Sequence, residues 1–154
     1  MKLLTSVKRP NCFAPLAMTI FFISGPCHAE SMVQQVCDHG NCVKLEVVSK
    51  QEDMERGLMY RTGMGWDKGM LFIFTVDEKQ QFWMKNMHFN LDMLWISVDG
   101  HIVYIGEHIP ACTADPCPIY APNQNARYVL ELNSGYTSGH QWKVGDKLDF
   151  KGVF

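Results

Sequence analysis

From Val43 to Val48 apolar and polar residues alternate, as in a half-buried strand whose side chains point to opposite faces in turn. The period then changes. Met54 and Leu58 stand four apart, and Ser49 and Glu52 have capping-box spacing, so a short helix is expected over 50–59, ended by turns at Gly63 and Gly65. Strand-like text resumes at 70–75, 81–85, 93–98 and 101–105, with Asp99-Gly100 as a two-residue hairpin turn. Met93-Leu94-Trp95-Ile96 is apolar on both faces and predicts a central strand. Residues 110–125 hold four prolines and two cysteines and read as a long pinned loop. A further strand is expected at 127–132, and a final hairpin pairs 142–144 with 147–150 around Gly145-Asp146. The sum is a mainly β fold, a compact β-sandwich or barrel-like single domain with one short helix near 50–59. An α+β sheet with the helix on one face is the alternative, whereas a doubly wound parallel sheet would need several crossover helices.

The first residues depart from this pattern. Lys2, Lys8 and Arg9 precede a mostly apolar run from Phe13 to Ile23, and Cys27-His28-Ala29 ends on a small residue, which reads as a signal peptide cleaved after Ala29. A membrane anchor would need about 20 apolar residues, and Pro15 and Ser24-Gly25-Pro26 interrupt the run. The expected organisation is therefore a signal at 1–29, an N-terminal segment at 30–42 and one β-rich domain at 43–154, exported to the periplasm or beyond. Cleavage removes three of the 14 basic residues and none of the 16 acidic ones, which leaves a formal charge of −5. Such a domain is poorly suited to phosphate backbones, so no nucleic-acid partner is expected. No integral membrane anchor is expected after cleavage.

The mature chain keeps Cys37, Cys42, Cys112 and Cys117, two Cys-x4-Cys units bound for an oxidising compartment, where disulfides persist. Three pairings are possible. Local closure of Cys37 with Cys42 and of Cys112 with Cys117 is preferred, because the intervening residues are turn formers. Bridges that short contribute about 2 kcal/mol each on the chain-entropy model and stiffen loops more than they hold a fold. His39 and His108 raise a metal site as the competing reading, although zinc favours tighter spacing and reduced thiols.

Five polar residues interrupt apolar text and are the candidate ligand-binding set: Arg56, Lys85, Asn86, Asp92 and Glu131. Lys85 and Asn86 end one apolar strand and Asp92 begins the next. If those strands are antiparallel neighbours, Lys85 and Asp92 form a buried ion pair or line a polar pocket floor for an anionic or hydroxyl-bearing ligand. Arg56 could clamp a carboxylate with its planar fork. Glu131 should point opposite to Leu130 and Leu132, either to water or into a site. Asp92 and Glu131 could also serve as the two carboxylates of an envelope hydrolase. The many methionines and histidines of an exported chain raise copper, with Met84, Met87 and His88 the tight cluster. Against that stands the commoner use of methionine in cores. No phosphate-binding glycine loop and no serine-hydrolase elbow is present, and no catalytic residue or cofactor is assigned.

Arg56-Gly57-Leu58-Met59, Gly69-Met70-Leu71-Phe72, Phe82-Trp83-Met84-Lys85-Asn86, Leu91-Asp92-Met93, Val129-Leu130-Glu131-Leu132 with Gly135, and Gly145-Asp146 fall in an order that resembles domain of unknown function 192, a bacterial and archaeal family. These landmarks span most of Val43 to Phe150. The resemblance implies a compact β-rich fold with one short helix, often behind a signal peptide, with no established catalytic activity. It singles out the same five polar residues. Met87 stands where the family pattern usually has threonine, and Cys37 and Cys42 are additions. The expected function is non-catalytic binding of a small ligand or an envelope protein. The hydrolase and copper-handling readings are the alternatives.

Overall fold

The computed structural model describes residues 33–154. The signal-peptide reading of 1–29 lies outside them. Nine strands and two short helices follow in the order β1 (Gln35–Asp38), β2 (Asn41–Val48), α1 (Gln51–Arg56), β3 (Lys68–Glu78), β4 (Phe82–Trp83), β5 (Leu91–Ile96), β6 (Ile102–Ile109), β7 (Ile119–Tyr120), β8 (Ala126–Asn133), α2 (Tyr136–His140) and β9 (Asp149–Lys151). Seven strands form one curled, half-barrel sheet in the order β6-β5-β8-β3-β2-β1-β9, and β4 pairs with β7 in a small separate sheet. The mainly β expectation therefore holds. Among the named strands one pair is parallel, β2 with β3, and α1 is its crossover.

Side-chain alternation divides the core between the two faces of the large sheet. Met70 and Phe72 of β3, Met93 and Trp95 of β5 and Val129 of β8 pack on one face with Leu58, Met84 and Met87. Leu71, Leu94, Ile96, Leu130 and Leu132 pack on the other with Tyr136 and Trp142. Every residue of β5 is buried, as its apolar text requires for a strand covered on both sides.

Four expectations are corrected. The helix stops at Arg56, because Gly57 takes a φ of 47° and its N–H closes on Asp53 O at 2.8 Å. Residues 81–85 do not join the large sheet: only Phe82 and Trp83 are extended, and they pair inside the 110–125 loop with Tyr120 and Ile119. The final hairpin does not form. Tyr136–His140 is helical, and β9 pairs with β1 rather than with 142–144. The segment before Val43 is part of the domain, since β1 lies between β2 and β9.

Both local disulfides are present, Cys37–Cys42 at 2.13 Å and Cys112–Cys117 at 2.08 Å between sulfurs. Among the described residues no helix is long and apolar enough to cross a membrane.

Candidate functional site

The five candidates do not converge on one place. Arg56, Lys85 and Glu131 line one cleft of about 410 Å³, whereas Asn86 and Asp92 lie outside it. One wall comes from α1 and the turn after it (Met54, Arg56, Gly57, Met59), and the other from β4 and its exit (Phe82, Trp83, Lys85, Met87). Phe72 and Glu131 supply the floor from the large sheet.

The Arg56-Gly57-Leu58-Met59 run explains the first wall. Gly57 is needed where it stands: a Cβ there would meet Phe72 Cζ at 3.4 Å with φ already in the left-handed region. The chain turns, drops Leu58 into the core and leaves Met59 on the cleft. Tyr60 N–H then donates to Asn86 O at 2.9 Å, and Asn86 Nδ2 donates to the Tyr60 hydroxyl at 2.8 Å. Asn86 adopts φ 58°, a conformation its residue type tolerates. Its place is a staple between the two walls.

Lys85 does not pair with Asp92. Its Nζ lies 3.2 Å from Asp115 in the Cys112–Cys117 loop and 5.7 Å from the Trp83 ring centroid. The disulfide loop is in turn tied to the strand exit by Cys112 N–H donating to Met84 O at 3.1 Å. The expected ion pair fails because β4 and β5 are not neighbours in one sheet.

Asp92 is fully buried on the face opposite the cleft. Its carboxylate accepts from His108 N at 2.9 Å, Gly135 N at 3.1 Å, Thr137 N at 3.0 Å and Thr137 Oγ1 at 2.7 Å. These bonds fasten α2 and the end of β6 to the sheet. Among the described residues Asp92 has no cationic partner.

Glu131 sits across β8 from Met70 on one side and Met93 on the other, and so shares the face of the first core cluster. It points opposite to Leu130 and Leu132, as strand alternation requires, but not to water: it is 5 % exposed. Oε2 has no hydrogen-bond partner among the described residues. Burial pushes the carboxyl up to about 8, and the positive field of Arg61 pulls back only part of that. Arg61 itself is engaged by Glu46 through two contacts of 2.7 Å, which hold the Glu46 carboxyl below its ordinary range.

The paired-carboxylate hydrolase is overturned by register. Met93 faces Glu131 and Asp92 faces Leu132, so the two acids project from opposite faces of the sheet. The proposed copper cluster is divided too. Met84 and Met87 are buried in the core while His88 is exposed. Sequence reasoning missed the group Asp38, His39 and Asp146, whose ligand atoms lie within 4.8 Å of one another. Asp38 and His39 are adjacent, but Asp146 lies more than a hundred residues further along the chain, and only the fold brings it to them.

The arrangement defines a class: a β domain built on one curled sheet, with a small cleft on one face and a buried acid at its floor. The chain belongs to the family of domain of unknown function 192, described as uncharacterized ACR, whose model matches residues 34–150. It is similar to a candidate transcription regulator of Sinorhizobium meliloti 1021 of known crystal structure. That likeness has 35 % identity, a TM-score of 0.67, and covers 79 % of this chain and 94 % of that one. A protein of unknown function from Novosphingobium aromaticivorans DSM 12444 is also similar, at 25 % identity and a TM-score of 0.69, covering 81 % and 89 %. No curated protein matches the chain.

Proposed function

We propose that this protein is a non-catalytic ligand-binding domain of the cell envelope, and that its ligand is a small organic molecule seated on Glu131. The observation that carries the reading is a buried carboxyl with an unpartnered oxygen at the floor of a cleft whose walls are methionine and aromatic side chains under a polar rim. Such a group costs stability, unlike Asp92, whose hydrogen bonds hold the fold together. A cost kept in a cleft is the mark of a site. The volume, about 410 Å³, is in the range of small-molecule sites.

Catalysis forms no part of the proposal. The lining offers no serine, cysteine or histidine, and its other carboxylate, Glu55, accepts from Gln51 at the rim. The envelope placement is supported by the two disulfides and by the leader-like first residues. The regulator description stays with the Sinorhizobium relative, because an acidic chain is a poor match for DNA.

A fragment screen read by methionine methyl NMR tests the proposal. Binders should shift the methyls of Met54, Met59 and Met87, which line the cleft, and a Glu131→Leu variant should lose most of them. A library in which no compound moves these three signals overturns the reading.

A further inference from the structure

We infer that the cleft takes an organic monocation, a protonated amine on an apolar or aromatic body, whose charge meets the Glu131 carboxylate. This inference rests on the ligand-binding reading and narrows it to one chemical class.

The charged groups around the floor are paired as follows. On α1, Arg56 is held by Asp53 at 2.8 Å. On the turn after α1, Arg61 is held by Glu46 of β2 at 2.7 Å. At the exit of β4, Lys85 is held by Asp115 at 3.2 Å. Glu55, the remaining charged group of the lining, takes a hydrogen bond from Gln51 at 2.9 Å. On β3 and β5 the residues directly beside Glu131 are Met70 and Met93, which carry no charge. Each rim cation already has its anion, and Glu131 has no direct cationic partner. Among the described residues no cation is free to meet Glu131 once it gives up its proton, and that is the place a ligand's charge can take.

The walls fit the same occupant. Phe72 and Phe82 meet edge to face at 5.0 Å and form part of an aromatic lining with Phe74 and Trp83. Ring faces attract ammonium groups within about 6 Å, and the Lys85 ammonium already lies 5.7 Å from the Trp83 centroid. The thioethers of Met54, Met59 and Met87 add polarizable surface for an apolar body. A bare metal ion would leave most of the volume unfilled.

Binding is coupled to protons in a defined direction. The acid holds its proton at neutral pH because burial raises it to about 8. An arriving R–NH3⁺ keeps its own protons, the Glu131 proton leaves to the solvent, and the cleft exchanges one positive charge for another. Below the titration of Glu131, affinity for the cation should rise about tenfold per pH unit.

The test uses the purified protein and probes that differ only in the head group: 2-phenylethylamine, 3-phenylpropanoate and 2-phenylethanol, with hexylamine, heptanoate and hexanol as a second set. Calorimetry in buffers of different ionisation enthalpy should show amine binding with release of close to one proton at pH 6, falling toward zero above pH 9. Glu131→Gln should weaken amine binding at least a hundredfold at pH 8 while leaving that of the alcohols within threefold. If alcohols or carboxylates bind the wild type as well as the amines do, and Glu131→Gln does not discriminate among them, the cleft reading stands and the monocation is overturned. If no probe binds and the fragment screen is also silent, both fall.

Discussion

Asp92 and Glu131 occupy adjacent strands of one sheet, at neighbouring register positions, and both are buried. One carboxylate is met by backbone amides and a hydroxyl, while the other leaves an oxygen without a donor. The contrast separates two uses of a buried acid. On the α2 face the acid organises structure by collecting loose N–H groups. On the α1 face the surrounding elements stop short of the acid and leave a cleft over it. Burial alone would have classed them together, and hydrogen-bond satisfaction tells them apart.

Breaking the first member should have the largest effect. Asp92→Ala leaves three backbone N–H groups and the Thr137 hydroxyl without their acceptor, so a loss of about 3–5 kcal/mol is expected in urea unfolding. The amides of Gly135, just before α2, and of Thr137 within it should lose hydrogen-exchange protection first. A loss under 1 kcal/mol would erase the distinction drawn between the two acids.

Breaking the second member should act in the opposite sense. The unfolded chain gives up the Glu131 proton near 4.5, and the folded chain keeps it to about 8. Between those values the folded state binds the extra proton. The group's contribution to stability is therefore complete below about pH 4.5 and is lost as the pH rises toward 8. Relative to Glu131→Gln, which does not titrate, the wild type should lose about 1.4 kcal/mol per pH unit in that window. Parallel stability curves for the two proteins between pH 5 and 8 would contradict the assignment.

The smallest effect sharpens the contrast. Arg61→Met removes the positive field that pulls the Glu131 carboxyl down, so its titration followed by carboxyl ¹³C NMR should move upward. Overall stability should change by no more than about 1 kcal/mol, since the Arg61–Glu46 pair is partly exposed. An unmoved titration would show that Arg61 and Glu131 do not sense each other.

Much of the scaffold was legible in the text, and the reasons are local. Alternation found β2, continuous apolarity found β5, and turn chemistry between the cysteines favoured the two short bridges. Helix α2 was missed because it is five residues long, contains Gly139 and has no side-chain cap, and the expected hairpin over 142–150 failed because its last strand pairs with β1 instead. The helix is held by Asp92, 45 residues away in sequence, which no local pattern can reveal. Lys85 was misassigned for a related reason: its partner lies in a disulfide loop 30 residues on. Alternation gave the face of Glu131 correctly. Its burial comes with a sheet that sets Met70 and Met93 on either side of it and a cleft whose wall is formed more than 70 positions earlier, and lay beyond reach of the text.

The pairing of β1 with β9 has a consequence for how the domain can be joined to other things. The first strand and the last lie side by side at one margin of the sheet, with Val36 opposite Phe150, so the path of the described residues is nearly a closed ring. Both points of attachment sit at that margin, while the cleft opens over β3 and β8 farther in. Among the described residues, the two ends of the sheet's path therefore lie on the side away from the strands that carry the cleft floor.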